Sequence, residues 1–226
     1  MNTPAREQYL KIKEAHKDEI LLFRMGDFFE TFDDDAILIS RELQIALTSR
    51  EFGKGNRVPL AGIPCHSLDP HMSKLIKRGF KVAICEQLSK NSDLNSEIID
   101  RKVVRVVTPG TVIEDSIIDQ KSNNYLASIF LEKDQCGIAY TDITTGEFLT
   151  TQLKKADIAS EINRISPAEL LVRSLDKPNL ENLDYELSEM EEFDFGSKKC
   201  FESLLNHFQV SSMESFGCHE LPLSIR

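Results

Sequence analysis

Phe28 and Glu30 lie one residue apart in the run Arg24-Met25-Gly26-Asp27-Phe28-Phe29-Glu30-Thr31-Phe32. Side chains alternate along extended backbone, so Phe28 and Glu30 point to one face, Phe29 and Thr31 to the other. A carboxylate beside a phenylalanine is costly in a core unless it is paired. The ring is equally out of place on a plain solvent face. The pair suits a surface that pushes an apolar ring between stacked bases and hydrogen-bonds one base edge, as apolar wedges do in the minor groove. The competing reading is an ordinary strand aromatic in a core, and composition alone favours it. Met25 and Asp27 flank the pair, as contacts or as turn residues. Arg50, Lys54 and Arg101 are candidates for phosphate contacts, which position a duplex without reading its sequence. For each of these, a solvated surface charge is the alternative.

A second possible chemistry is metal-dependent hydrolysis. Asp142 ends a strand, and Glu147, Asp157 and Glu161 follow within reach in sequence. Such chemistry needs several carboxylates converging on cations, whereas an Asp just before a turn is also an ordinary turn residue. His66 lies between a strand and a helix cap with no cysteine–histidine zinc pattern around it, so structural roles are expected for it and for His71. The five cysteines are scattered and include no C-x-x-C pair, which argues against a disulfide framework or zinc site. No G-x-x-x-x-G-K-[ST] string occurs, so these residues supply no phosphate-cradling loop of that type.

The elements that must position these residues are legible in outline. Thr3-Pro4 opens a helix ending near His16, with Thr3 as cap. Ile20–Arg24 and Phe28–Phe32 read as strands around Gly26-Asp27. Asp33-Asp34-Asp35 starts a helix whose inner face carries Ile39, Leu43 and Ala46. Residues 50–57 form a basic, glycine-containing hairpin tip, followed by a strand from Val58 to Ile63. Asp69-Pro70 caps a helix closed by Gly79. Strands follow at Phe80–Cys85 and Val103–Val107, with a polar loop at 89–100 between them. This alternation indicates an α/β domain.

Residues 110–123 read as a connector. Three strands then come in quick succession, Tyr125–Leu131, Cys136–Asp142 and Gly146–Gln152. A helix at about 155–165, a strand at Glu169–Val172 and an amphipathic helix over Ser197–Phe208 complete the pattern. Three antiparallel strands followed by alternating helices and strands resemble a ribonuclease-H-like fold. The end, Leu221-Pro222-Leu223-Ser224-Ile225-Arg226, shows no terminal element, as though the sequence continued.

Charge is unevenly spread. Residues 1–110 carry 17 Lys and Arg against 16 Asp and Glu, a net of +1; residues 111–226 carry 10 against 21, a net of −11. Any nucleic-acid surface is therefore expected in the first half. No apolar run approaches the roughly 20 residues of a membrane helix, and the polar N-terminus lacks a signal peptide's apolar stretch. A cytoplasmic location without membrane contact is expected.

The string Arg24-Met25-Gly26-Asp27-Phe28-Phe29-Glu30 resembles the F-x-E hallmark of the MutS family of mismatch-repair proteins. Further strings resemble that family in order: Leu60-Ala61-Gly62-Ile63-Pro64 before His66; Val82–Gln87; Arg101–Thr111; Asp142–Phe148; and Ser166–Leu171. Phe29 departs from the pattern, since relatives often carry tyrosine there; only a hydroxyl is lost. The resemblance implies an α/β architecture: a mixed-sheet mismatch-recognition domain at 1–112, a linker at 113–121 and a ribonuclease-H-like connector domain at 122–226. It implies that Phe28 stacks on a mispaired base and that Glu30 hydrogen-bonds it. It implies mismatched double-stranded DNA and a MutL-type repair protein as partners, and dimerisation of the full-length protein. ATP and Mg are expected only in that longer protein, so no cofactor and no enzymatic activity are expected of these residues. The alternatives are a metal-dependent nuclease of ribonuclease-H type and a pure protein-interaction module.

Overall fold

The computed structural model describes residues 3–53, 55, 57–88, 99–113, 122–180, 182–185 and 187–226. The chain divides into two compact units, Met1–Pro109 and Gly110–Arg226. Most of the expected 113–121 linker, the 89–98 part of the polar loop, and Lys54 lie outside the described residues.

The first unit is a six-stranded mixed sheet with helices on both faces. Helix α1 (Pro4–Ala15) precedes a hairpin of β1 (Ile20–Met25) and β2 (Phe28–Phe32), and α2 (Asp33–Leu43) follows directly. Next come β3 (Thr48–Glu51), β4 (Arg57–Pro64), α3 (Leu68–Ile76), β5 (Val82–Gln87) and β6 (Arg101–Val107). The strand order is β3-β4-β2-β1-β5-β6. Only β1 and β5 run parallel; the other pairs are antiparallel.

One face is filled by Leu22, Phe29, Thr31, Ala61 and Ile63, all buried, with α2 and α3 against β2, β4 and β5. On the other face Tyr9 of α1 clusters with Leu21, Phe23, Phe32, Ala83 and Cys85. Tyr9 meets Phe32 and Phe23 edge-on, at 4.8 and 5.5 Å between ring centroids. Such ring pairs contribute about 0.5–1.5 kcal/mol beyond area burial. Asp35, buried in the first turn of α2, accepts the Leu21 N–H (2.9 Å) and the Lys13 ammonium (3.0 Å), tying α1, β1 and α2 together.

Several expectations are corrected. Thr3 precedes α1, but its hydroxyl makes no capping bond; its carbonyl accepts the N–H groups of Arg6 and Glu7 instead. Ala46 lies beyond the end of α2 and is exposed. The 50–57 segment does lead around a hairpin, but Arg50, Glu51 and Arg57 are paired strand residues and the tip is shorter. Asp69 and Pro70 sit inside the first turn of α3, because a 3₁₀ turn at Cys65–Ser67 runs straight into the helix.

The second unit is a five-stranded mixed sheet. It contains β7 (Tyr125–Glu132), β8 (Gln135–Asp142), β9 (Glu147–Lys154), α4 (Ile158–Ile165), β10 (Glu169–Arg173), β11 (Leu187–Met190) and α5 (Ser197–Phe208). The order is β11-β10-β7-β8-β9, with β7, β8 and β9 antiparallel and β10 parallel to both β7 and β11. This is the expected run of three antiparallel strands followed by helix and strand alternation. Strand β11 was not anticipated. Ile158, Ile162 and Ile165 of α4 bury one sheet face with Ala127, Ile129, Cys136 and Ile138. Helix α5 has the expected bounds, yet none of its residues is fully buried.

The final residues pack onto the other face of this sheet. Leu223 is buried with Phe130 and Phe195, and its N–H donates to Gln152 Oε1 at 3.2 Å. Gly137 lies directly beneath: a Cβ there would stand 2.2 Å from the Leu223 carbonyl carbon and oxygen. Glu169 pins the start of the unit, accepting the Gly110 N–H (3.1 Å) and the Ser188 hydroxyl (2.7 Å).

Candidate functional site

The hairpin of β1 and β2 turns through Gly26 and Asp27 alone, with Met25 paired to Phe28. Gly26 takes φ +62°, open to glycine without strain, at the first position of a two-residue hairpin turn. The Asp27 carbonyl accepts the Cys65 N–H (2.9 Å), fastening the turn to the end of β4.

From there the alternation falls as the sequence requires. Phe28 is 45% exposed and Phe29 only 2%; Thr31 faces inward with Phe29, and the Glu30 side chain, 17% exposed, stands on the face of Phe28. Opposite Glu30 on β4 is Gly62, and opposite Phe28 is Pro64. A Cβ on Gly62 would lie 3.6 Å from the Phe28 ring and 3.7 Å from Glu30 Cγ. With no side chain there, that part of the sheet face stays open beside ring and carboxylate. The Tyr9 cluster covers the Phe32 end of β2 and leaves Phe28 outside it.

The carboxylate has cationic company. Arg50 Nη1 on β3 donates to Glu30 Oε2 at 2.7 Å. Arg101 on β6 lays its guanidinium over Phe23, 4.9 Å from the ring centroid, and Phe23 is the cross-strand partner of Glu30. Burial pushes the Glu30 carboxyl above its usual value; the charge and hydrogen bond of Arg50 and the charge of Arg101 only partly offset this. Burial also lowers the Arg101 pKa, against the opposing influence of Cys85 and Glu30.

The structure thus gathers Phe28, Glu30, Arg50 and Arg101 around one open face. Met25 is half-buried beside the Tyr9 cluster, and Asp27 is exposed in the turn. Arg101 donates to the carbonyls of Arg24 (2.7 Å) and Ile99 (3.0 Å) and to Gln8 Oε1 (3.2 Å), so much of its donor capacity is engaged inside the domain. The pairing of Arg50 with Glu30 was not anticipated. The available signal was the opposite charge of two residues on strands separated by one neighbour, visible only once β3 is placed.

In the second unit, Asp142 is 1% exposed and closes its own turn. Its carboxylate accepts the N–H and hydroxyl of Thr144 (2.9 and 2.6 Å) and the N–H of Asn124 (3.1 Å). Burial acts to raise its pKa, but the Thr144, Asn124 and Thr145 hydrogen bonds outweigh it and hold the carboxyl below its usual value. Glu147 is taken up by the Tyr125 hydroxyl, and Glu161 by Arg164 at 2.7 Å. Among the described residues no three His, Cys, Asp or Glu side chains are grouped to hold a metal ion. His71 Nδ1 lies 2.7 Å from the Ser67 carbonyl oxygen, a helix-start contact, and His66 is exposed in the preceding turn.

Residues 3–116 match the family model of MutS domain I, and residues 124–226 match that of MutS domain II. The chain belongs to the MutS family. Its first unit thereby corresponds to MutS domain I and its second to MutS domain II. DNA mismatch repair protein MutS of Dehalococcoides mccartyi (strain ATCC BAA-2266 / KCTC 15142 / 195) is 47% identical over 224 residues, covering 99% of this chain and 26% of the relative. The protein of that name from Halothermothrix orenii is 42% identical over 234 residues, with the same coverages. That of Caldanaerobacter subterraneus subsp. tengcongensis is 50% identical over 173 residues, covering 75% of this chain and 20% of the relative. The chain therefore spans about a quarter of the length of the MutS relatives it matches over nearly its whole extent. Among the described residues no helix is long and apolar enough to cross a membrane.

Proposed function

We propose that the first domain senses mispaired bases in duplex DNA, with Phe28 as the stacking wedge and Glu30 as the group that hydrogen-bonds the displaced base. The observation that carries this reading is a phenylalanine left 45% exposed on a strand whose next residue is 2% exposed. An aromatic held at the surface beside a carboxylate has a poor rationale in packing and a good one in base stacking. A mispaired step is already poorly stacked, so opening and kinking it costs less than at a Watson–Crick step. Discrimination then rests on deformability. Arg50 and Arg101, with Met25 and Asp27 at the turn, border the wedge as further DNA contacts, and Lys54 is assigned the same role from its sequence position alone.

We read the second domain as the connector that passes changes onward and docks a MutL-type repair protein. In support, Phe148, Phe208 and Phe216 form a ring cluster at the edge strand β9, with Phe148 and Phe216 exposed. The two domains act as the front part of a longer, dimeric, ATP- and Mg-dependent protein, and neither hydrolyses ATP by itself.

The test is binding of the full-length protein to two otherwise identical duplexes, one with a single mispair. Wild type prefers the mispaired duplex. Glu30→Gln, a neutral donor and acceptor of similar shape, keeps tight binding and gains affinity for the paired duplex, because repulsion from phosphates is lost. Equal binding of both duplexes by wild type would overturn the proposal.

A further inference from the structure

Arg50 is placed to do more than neutralise a neighbour. It sits on β3, the edge strand of the sheet, all four of whose residues are exposed. Its side chain is 45% exposed and its guanidinium lies 5.8 Å from the Phe52 ring centroid, while a single nitrogen reaches Glu30 Oε2. The partner is different in kind: Glu30 is mostly covered and stands on an interior strand. One member of the ion pair is therefore exposed and peripheral, the other mostly covered beside the exposed ring. An ionised carboxylate only accepts hydrogen bonds, and here one of its two oxygens is already occupied by Arg50. A guanidinium binds a phosphate in a two-point fork that it does not achieve with Glu30 in this arrangement.

We propose that Arg50 is a partner-exchanging positioning residue: it holds the Glu30 carboxylate in the DNA-free protein and transfers to a backbone phosphate when the mispaired duplex seats, releasing Glu30 to the base. This rests on the reading of Phe28 and Glu30 as the mismatch-contacting pair. The exchange has a chemical consequence. Among the described residues, the charged groups facing Glu30 are Arg50 from β3 and Arg101 from β6; its cross-strand neighbours Phe23 and Gly62 carry no charge. Once Arg50 leaves, the weaker influence of Arg101 is what remains among the described residues against burial and the incoming phosphates. Glu30 then takes up a proton, which turns an acceptor-only group into one that also donates. The arginine thus keeps the site ionised and oriented without DNA, and its departure changes what Glu30 offers.

The experiment uses the full-length protein as wild type, Arg50→Met, Arg50→Lys, Glu30→Gln and Phe28→Ala. Affinity for the mispaired duplex is measured across a salt series. Each phosphate contact contributes about 0.9 to the slope of log K against log salt. Arg50→Met flattens that slope by about 0.9, in the wild-type and the Glu30→Gln background alike, and Arg50→Lys restores it. Calorimetry in buffers of different ionisation heat reads the proton: wild type takes one up on binding and Glu30→Gln does not. An unchanged slope in Arg50→Met, or equal proton uptake by wild type and Glu30→Gln, overturns the exchange. Phe28→Ala separates the two levels of the argument. If it retains full mismatch preference, the underlying reading of the pair is wrong. If it loses that preference while the Arg50 slope is unchanged, only the exchange fails.

Discussion

Replacing Phe28 by Ala separates binding from folding, because the structure fixes how much of the ring serves each. Full burial of a Phe side chain stabilises a fold by about 1.5–3 kcal/mol. Phe28 is 45% exposed, so truncation removes roughly half of that, about 0.8–1.6 kcal/mol. A domain with the usual stability of about 5–15 kcal/mol survives such a loss. Stacking on a base is worth about 1–3 kcal/mol, which is a loss of about 5- to 150-fold in affinity for a mispaired duplex. A paired duplex, whose step resists opening, loses far less. The preference therefore collapses while the protein stays folded. Fluorescence anisotropy with labelled paired and mispaired duplexes, at one fixed salt concentration, reads the first effect; urea unfolding reads the second. Phe29→Ala is the contrasting control. At 2% exposure on the opposite face, it costs the fold about 3–5 kcal/mol and changes binding only through the folded fraction. A Phe28→Ala protein that still prefers the mispair, or that loses as much stability as Phe29→Ala, would refute the division of labour between the two rings.

Thr31 is fully buried and its hydroxyl has no hydrogen-bond partner among the described residues; Thr31→Val should stabilise the first domain by about 1 kcal/mol, seen as a raised urea midpoint. Gly62→Val places a β-branched side chain in a strand, where it adds up to about 1 kcal/mol; the same side chain fills the space beside Phe28 and Glu30. Mismatch preference should fall as stability holds or rises, and the reverse pattern would contradict the open-face reading. Gly137→Ala forces a methyl into the Leu223 backbone, at a cost of about 1–3 kcal/mol; amide exchange should quicken at residues 221–226 ahead of β7 and β8. Asp142, held below its ordinary pKa by its turn, stabilises above the unfolded value and loses that contribution as pH falls through the folded one. Asp142→Ala should therefore cost roughly 1–3 kcal/mol at pH 7, with the deficit against wild type shrinking in acid; a constant deficit would show that charge plays no part.

What the sequence made legible was local. The alternation Phe28-Phe29-Glu30-Thr31 already placed ring and carboxylate together, because strand periodicity is a property of the backbone. Ser197–Phe208 carried its helix in the spacing of Phe201, Leu204, Leu205 and Phe208. Strands β3 and β11 escaped for a physical reason: each has four residues, β3 is exposed throughout, and neither shows an apolar run. Their existence depends on partners supplied elsewhere in the chain, β4 for one and β10 for the other. Arg50 was for the same reason read apart from Glu30. Arg101 carried no sign that it would lie on Phe23, since a cation–ring contact across 78 positions leaves no trace in local pattern.

The placement of Phe28 also bears on how a mispair could be told from a pair. If discrimination rests on the duplex yielding, the wedge must not yield first. Strand β2 is interior, bonded to β1 on one side and β4 on the other. Behind it Phe29 and Thr31 are buried in the face that α2 and α3 cover. The turn before Phe28 is fastened to Cys65 at the end of β4, and the strand's far end is locked by Tyr9 against Phe32. A side chain on such a support holds its position better than one on a loop. Pressed into a stack, it transfers the strain to the DNA, and the energy then depends on how readily that step unstacks. The bare surface at Gly62 is the complement of this rigidity: the backbone is fixed on every side except the one a base would approach.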